Sequence, residues 1–222
     1  MGTFAKKSMN IKFIRFYNCI TLLIIVSLYS CKKNDKFILN ENFDSNKLAW
    51  IEESSLFHCI KIDSGYYYIS NCDTSSSTDF SSTTSLDKSY LYNLPKSFEI
   101  CTKIKLLYYK HENASFGIIL NGASLQYAFS IHRVGGISVY EYDNNSKKEN
   151  LLLSRDSEYE IDDEVICKIL INDGKSTIYI DDYNIGESKF SVNALQELRL
   201  FTSKESKIAV DYLTIKRTNK RN

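Results

Sequence analysis

The stretch Phe98-Glu99-Ile100-Cys101-Thr102-Lys103-Ile104-Lys105-Leu106 alternates apolar and mostly polar residues without a break. Successive side chains of a strand point to opposite faces, so this spacing predicts a half-buried β-strand. Phe98, Ile100, Ile104 and Leu106 would face a core and Glu99, Cys101, Lys103 and Lys105 water. The same period of two recurs at 56–62, 66–70, 116–120, 127–132, 137–142, 164–171, 177–180, 195–201 and 208–215, and helical spacing is almost absent. Between these runs stand Ser64-Gly65, Asn121-Gly122, Gly135-Gly136, Asp143-Asn144-Asn145, Asp173-Gly174 and Asp181-Asp182, residues that accept the tight backbone of a hairpin. About ten short strands, polar turns and a single proline predict an all-β fold, an antiparallel β-sandwich. Sixteen tyrosines and twelve phenylalanines suit its pleated, half-buried surfaces.

One segment breaks the rhythm. Residues 71–89 are rich in Ser, Thr and Asp, with Phe80 as the one sizeable anchor, and read as a long surface loop. Trp50, the only tryptophan, follows the polar turn around Asp44 and reads as a packed aromatic pinning the first strand, the alternative being a stacking platform for a sugar.

The N-terminus has a different chemistry. Lys6, Lys7, Lys12 and Arg15 precede an apolar run at 19–28 (CITLLIIVSL), too short to cross a hydrocarbon core, which takes roughly 20 residues in a helix. Met9 can serve as an alternative start. Leu28-Tyr29-Ser30-Cys31 resembles the lipobox of bacterial lipoproteins, departing from it at Tyr29, where a small residue is usual. The resemblance implies a signal peptide at 1–30, a lipidated Cys31 carrying three acyl chains, and a polar tether through Lys36. Two or more chains hold a protein stably on a membrane, at about 0.8 kcal/mol per buried methylene. The alternatives are an ordinary secretory signal or an uncleaved helix. The expected location is the outer membrane or cell envelope, facing the periplasm or the surface.

Removing residues 1–30 takes away four positive charges and no negative ones, moving the formal balance from +1 to −3. Such a body gives no electrostatic basis for nucleic acid as a partner. Lys216, Arg217, Lys220 and Arg221 read as a solvated C-terminal end, with 218–222 as a tail. The remaining length suits one domain, 37–217.

Past Cys31 there remain Cys59, Cys72, Cys101 and Cys167, an even number in a compartment that permits oxidation. Cys59 and Cys72 flank the turn at Ser64-Gly65 and are the preferred bridge. Cys101 and Cys167 lie in two strands that can be neighbours, and the alternative is that all four are small buried hydrophobes. No Cys-x-x-Cys pair is present, and His58, His111 and His132 stand singly, which argues against zinc. Asp181, Asp182 and Asn184 offer oxygens for a structural calcium ion, though the ordinary role of such residues is to form the turn.

The order of these elements resembles the concanavalin A-like lectin/glucanase jelly roll. It is carried by Glu41-Asn42-Phe43-Asp44-Ser45-Asn46 leading to Trp50, by Gly65-Tyr66-Tyr67-Tyr68-Ile69, Ser97-Phe98-Glu99-Ile100, Phe116-Gly117-Ile118 and Tyr127-Ala128-Phe129-Ser130-Ile131, and by Ile178-Tyr179-Ile180-Asp181 and the closing Val210-Asp211-Tyr212-Leu213-Thr214-Ile215. It is similar in particular to the laminin-G-like and keto-disaccharide-hydrolase-like domains of exported proteins in Bacteroidetes-type bacteria, over 37–217. The resemblance implies a ligand lying across one sheet, with Tyr108, Tyr109, Tyr127, His132, Arg133, Tyr140 and Tyr142 as candidates to stack on sugar rings or bond hydroxyls. Glu160, Asp162 and Glu164 resemble the Glu-x-Asp-x-Glu strand of retaining glucanases in that superfamily, in which a nucleophile and an acid/base stand about 5 Å apart. Asp163 stands where an apolar core residue belongs, and the preceding residues are loop-like, so the stretch reads as an acidic connector entering a strand. The resulting expectation is a membrane-anchored lipoprotein whose sandwich binds a carbohydrate or cell-envelope glycan without chemistry of its own. The rival readings are a glycoside or keto-disaccharide hydrolase and a structural, protein-binding lipoprotein.

Overall fold

The computed structural model describes residues 37–72, 80–86, 91, 93–156, 161, 164–191 and 195–218. The signal and lipidation site, the acidic pair Glu160 and Asp162, and Lys220 and Arg221 lie outside the described residues.

Among the described residues fifteen strands follow in chain order: β1 (Phe37–Glu41), β2 (Glu53–Ser54), β3 (His58–Asp63), β4 (Tyr66–Asn71), β5 (Phe80–Ser85), β6 (Ser97–Tyr109), β7 (Ser115–Gly122), β8 (Leu125–His132), β9 (Ile137–Asp143), β10 (Lys148–Arg155), β11 (Glu164–Asn172), β12 (Lys175–Ile180), β13 (Tyr183–Lys189), β14 (Leu195–Ser203) and β15 (Ser206–Arg217). They form two antiparallel sheets. One runs β13-β12-β11-β6-β15-β4-β3-β2, with β1 added to the far half of β15 opposite Leu213 to Lys216; the other runs β10-β9-β8-β7-β14-β5.

The alternation around Phe98 is realised as read: Phe98, Ile100, Ile104 and Leu106 are buried, while Glu99, Cys101, Lys103 and Lys105 are not. Val165, Ile169 and Ile171 of β11 and Ile208, Val210, Leu213 and Ile215 of β15 join them from the same sheet. Phe116, Ile118 and Leu120 of β7, Phe129 and Ile131 of β8, Val139 of β9 and Leu198 and Leu200 of β14 meet them from the other. One core therefore lies between the sheets, the arrangement that buries one face of each.

The turns carry the chemistry the sequence announces. Ser64 and Gly65, Asp173 and Gly174, and Asp181 and Asp182 all take positive φ, the backbone of tight hairpins. The segment 71–89 is corrected in part, because β5 runs within it and pairs with β14 from Arg199 to Ser203. Its Ser- and Thr-rich composition gives no apolar alternation to read, yet backbone pairing on a sheet edge does not need one.

The expected disulfides are also corrected: all four cysteines are free thiols. Cys59 stands opposite Ser70, and the Cys72 amide bonds the Phe57 carbonyl at 2.7 Å, so the two cysteines are out of register by two residues. Cys101 and Cys167 do lie on adjacent strands, but Cys101 is opposite Lys168 and Cys167 opposite Thr102, which sends their side chains to opposite faces. Burial pushes the Cys167 thiol up to about 12.

Candidate functional site

The outward face of the six-stranded sheet carries a different set of side chains from its core face. On β7 these are Ser115, Gly117 and Ile119; on β8 Ala128, Ser130 and His132; on β9 Ser138 and Tyr140; on β10 Ser154. Over them lies a cleft of about 680 Å³, lined among others by Ser115, Ser130, His132, Ser138, Tyr140 and Ser154. Its walls come from connections at one end of the sheet. His111, Asn113 and Ala114 belong to the β6–β7 connection, Val134 and Gly135 to the β8–β9 turn, Arg155 and Asp156 to the end of β10, and Lys204 to the β14–β15 turn.

The walls are tied down by polar contacts. Glu205 in the β14–β15 turn accepts from Lys110 and lies 2.8 Å from His111 Nε2, which clamps the β6–β7 connection to that turn. Those two partners hold the Glu205 carboxyl below its ordinary range, the Lys110 bond first. The Ser115 amide donates to Ser203 Oγ at 3.0 Å, and the Arg133 amide to the Ala114 carbonyl at 2.9 Å. Gly136 permits a close approach at the wall, for a Cβ there would stand 2.7 Å from the Arg155 carbonyl oxygen. Without a side chain at that position, the end of β10 closes onto the β8–β9 turn and brings Arg155 and Asp156 to the cleft.

On the floor, His132 Nε2 lies 3.0 Å from Ser138 Oγ. Burial holds the imidazole below its ordinary value of 6.5, against the opposing pull of the Asp156 carboxylate. In the unfolded chain His132 takes up a proton near its ordinary value, so acidification favours unfolding. The contribution of His132 to stability is complete above about pH 6.5 and is lost as the pH falls below it. His132→Gln is therefore expected to flatten the acid limb of a stability-against-pH curve measured by chemical denaturation; an unchanged limb would show that His132 does not titrate in this way.

Of the candidates read from the sequence, His132 and Tyr140 are brought together in the cleft. Arg133, between the lining residues His132 and Val134, sets its guanidinium over the Tyr109 ring at 4.1 Å from the centroid. Tyr108 is exposed at the end of β6 and does not line the cleft. Tyr142 shares the face of Tyr140 one pair further along, opposite Gln126 and Glu149, outside the lining. Tyr127 corrects the expectation outright, for it is fully buried on the core side. Its ring packs on Phe190 at 4.8 Å and its hydroxyl donates to Glu141 Oε2 at 2.5 Å; burial, then that bond, pushes it up to about 12.

Of the acidic triplet read from the sequence, Glu164 is the one among the described residues. Glu164 opens β11 in the nine-stranded sheet and pairs with Lys103 Nζ at 3.0 Å, across the core from the cleft. Asp156 is the carboxylate among the described lining residues. In the β12–β13 turn, Asp181 Oδ1 accepts from the Ile166 amide at 2.8 Å, Asp182 bonds Lys168 Nζ at 2.6 Å, and Asn184 is exposed. Among the described residues no three His, Cys, Asp or Glu side chains are grouped as a metal set.

Sequence reasoning did not single out Ser115, Ser130, Ser138, Ser154, Asp156 or Lys204. A signal was present in part: Ser130 with His132, and Ser138 with Tyr140, are polar pairs at i and i+2 inside otherwise apolar strands, on the face opposite Phe129, Ile131, Ile137 and Val139.

Fold and cleft together define a two-sheet antiparallel β-sandwich of the jelly-roll kind. No protein-family model matches the chain, and no curated protein sequence does. Among solved structures it is similar to the CBM2 module of the evolved Dit of Lactobacillus casei BL23 phage J-1, at a TM-score of 0.57 and 10% identity over 83% of this chain and 97% of that one. It is similar also to a structure from work on endo-acting O-glycanases with which prominent members of the human gut microbiota initiate mucin breakdown (TM-score 0.60, 8% identity, 83% and 100%). A third is the GH43 BlXynB protein of Bacillus licheniformis (0.58, 12%, 84% and 40%). The chain spans only 17% of a sialidase that it also matches, at a TM-score of 0.52 and 9% identity over 77% of this chain. At these identities the likeness is one of fold.

Proposed function

We propose that this chain is an exported lipoprotein, held in the cell envelope through Cys31, whose β-sandwich binds a carbohydrate or cell-envelope glycan in the cleft over the six-stranded sheet, without chemistry of its own. The observation that carries the reading is the lining of that cleft. A floor of serine hydroxyls supplies small donors and acceptors, Tyr140 supplies an aromatic face, and His132 and Asp156 fix orientation, the combination that suits a hydroxyl-rich ring. The names of several similar structures concern carbohydrate-acting or carbohydrate-binding proteins, which agrees with this reading. Glycoside cleavage ordinarily draws on two carboxylates flanking one bond, and Glu164 is committed to Lys103 on the other sheet.

The test is a binding panel of alginate, xylan, xyloglucan and mucin O-glycans on the full chain in detergent, followed by thermal unfolding and calorimetry. A panel member present at a hundred times its Kd stabilises by about 2.7 kcal/mol, roughly 5–10 °C for a domain of this size. Tyr140→Ala is expected to weaken that binding about tenfold or more while the fold persists. A panel without any shift, or a Tyr140→Ala variant that binds as well as the wild type, overturns the assignment. Mass spectrometry of the native protein tests the anchor: Cys31 should be the first residue and carry acyl chains.

A further inference from the structure

One row of side chains runs straight across five strands of the six-stranded sheet: Phe201 of β14, Gly117 of β7, Ser130 of β8, Ser138 of β9 and Ser154 of β10, each opposite the next. The adjacent row, Leu200, Ile118, Phe129, Val139 and Leu153, packs in the core, so the first row faces outward. Exposure climbs steadily along it, from 0% at Phe201 through 1% at Ser130 and 7% at Ser138 to open solvent at Ser154.

The two ends of the row differ in kind. At the deep end, a Cβ built on Gly117 would stand 3.3 Å from Phe201 Cε1, so the Phe201 ring leans over the glycine; both are buried and outside the lining, and the cleft floor on this side ends at Ser115 and Ser130. Beside it the β6–β7 connection and the β14–β15 turn close in, clamped through Lys110, His111 and Glu205. At the shallow end β10 is the edge of the sheet, and Ser154, Arg155 and Asp156 are all exposed. The cleft is a groove closed on the β14 side and open on the β10 side.

We infer that this groove takes the end of a linear glycan chain and not its interior, with the terminal sugar over Ser130 and His132 and the chain leaving across Ser138 and Ser154. The inference rests on the reading of the cleft as a glycan site. Neighbouring strands are about 4.8 Å apart, close to the advance per sugar of an extended pyranose chain lying across them. His132, Ser138 and Ser154 thus offer about one polar contact per sugar over three units, a length the 680 Å³ cleft accommodates. An interior segment would need an exit on the β14 side, where the Phe201 ring and the clamped connections stand.

The experiment counts chain ends. Alginate, xylan, xyloglucan and mucin O-glycans are each presented to the full chain in detergent, at equal mass, intact and as size-fractionated oligosaccharides. For whichever of these probes binds, the protein bound per gram is expected to rise in proportion to the number of chain ends, and a trisaccharide is expected to saturate the cleft one to one. Ser138→Trp, which fills the middle of the groove from a position facing the cleft, is expected to weaken binding about tenfold or more. Binding that follows mass and is indifferent to the number of ends overturns end recognition while leaving glycan binding in place; a Ser138→Trp variant of wild-type affinity overturns the cleft as the binding site and with it both readings. Absence of binding to every probe overturns both readings.

Discussion

Gly117→Ala is expected to destabilise the sandwich by more than about 3 kcal/mol, enough that the variant is recovered unfolded or aggregated. Gly117 sits mid-sheet on β7, opposite Ser130 of β8 and Phe201 of β14. An added Cβ would stand 1.9 Å from the Phe129 carbonyl oxygen and 3.1 Å from its carbon, a collision with backbone. Rotating a side chain cannot relieve it, so either β7 and β8 separate or their ladder breaks, and both expose the core-facing Ile118 and Phe129. The Phe201 ring at 3.3 Å leaves no room on the other side. Circular dichroism and thermal unfolding read the outcome directly. A Gly117→Ala variant melting within a few degrees of the wild type would show that the close pairing of β7 and β8 at this point is misplaced.

Trp50→Ala is expected to cost about 3–5 kcal/mol, lowering the melting temperature by roughly 6–20 °C. The indole is 2% exposed and meets the rings of Phe43 at 5.6 Å and Tyr67 at 5.3 Å. Its Nε1 donates to Glu41 Oε2 at 3.2 Å, while Glu41 Oε1 accepts the Phe43 amide at 2.9 Å. Removing the indole leaves a cavity and strips one partner from a buried carboxylate, two penalties that act together. Asn46, which bonds both the amide and the carbonyl of Trp50, shows that the whole β1–β2 connection is built around this side chain. Below its melting temperature the variant should bind a glycan as the wild type does. Loss of binding by a folded Trp50→Ala protein would instead return Trp50 to the role of sugar platform.

The fold was legible where alternation was strong. Phe98 to Leu106, flanked by β11 and β15, declares its two faces residue by residue, and the Ser-Gly, Asp-Gly and Asp-Asp turns state where the chain reverses. Legibility failed where strands are held by pairing more than by burial. After Phe80, β5 holds only Ser and Thr, β10 is exposed over most of its length, and β13 presents Tyr183 and Asn184 to water. An edge strand needs only one neighbour's backbone, so its sequence is free of the period that marks a central one. The loss mattered for the site, because β10 supplies Ser154 and Arg155 and leads to Asp156. His132 and Tyr140 were found because aromatic and titratable residues attract notice; the serines beside them were not, since a serine on a strand announces no chemistry until register places several together. Tyr127 misled because its hydroxyl suggests a surface role, whereas its neighbours Phe129 and Ile131 share its core-facing phase. The cysteines misled through turn symmetry, which is broken here by two residues of register.

The most direct test of glycan recognition over the six-stranded sheet is a backbone and side-chain NMR titration of the full chain in micelles with alginate, xylan, xyloglucan and mucin oligosaccharides. The expected result is a contiguous set of shifts at Ser130, His132, Ser138, Tyr140 and Ser154, fading toward Phe201, with the tyrosines Tyr66, Tyr68 and Tyr179 of the other sheet unmoved. Shifts gathered on those three tyrosines, or none anywhere with any of the sugars, would contradict it.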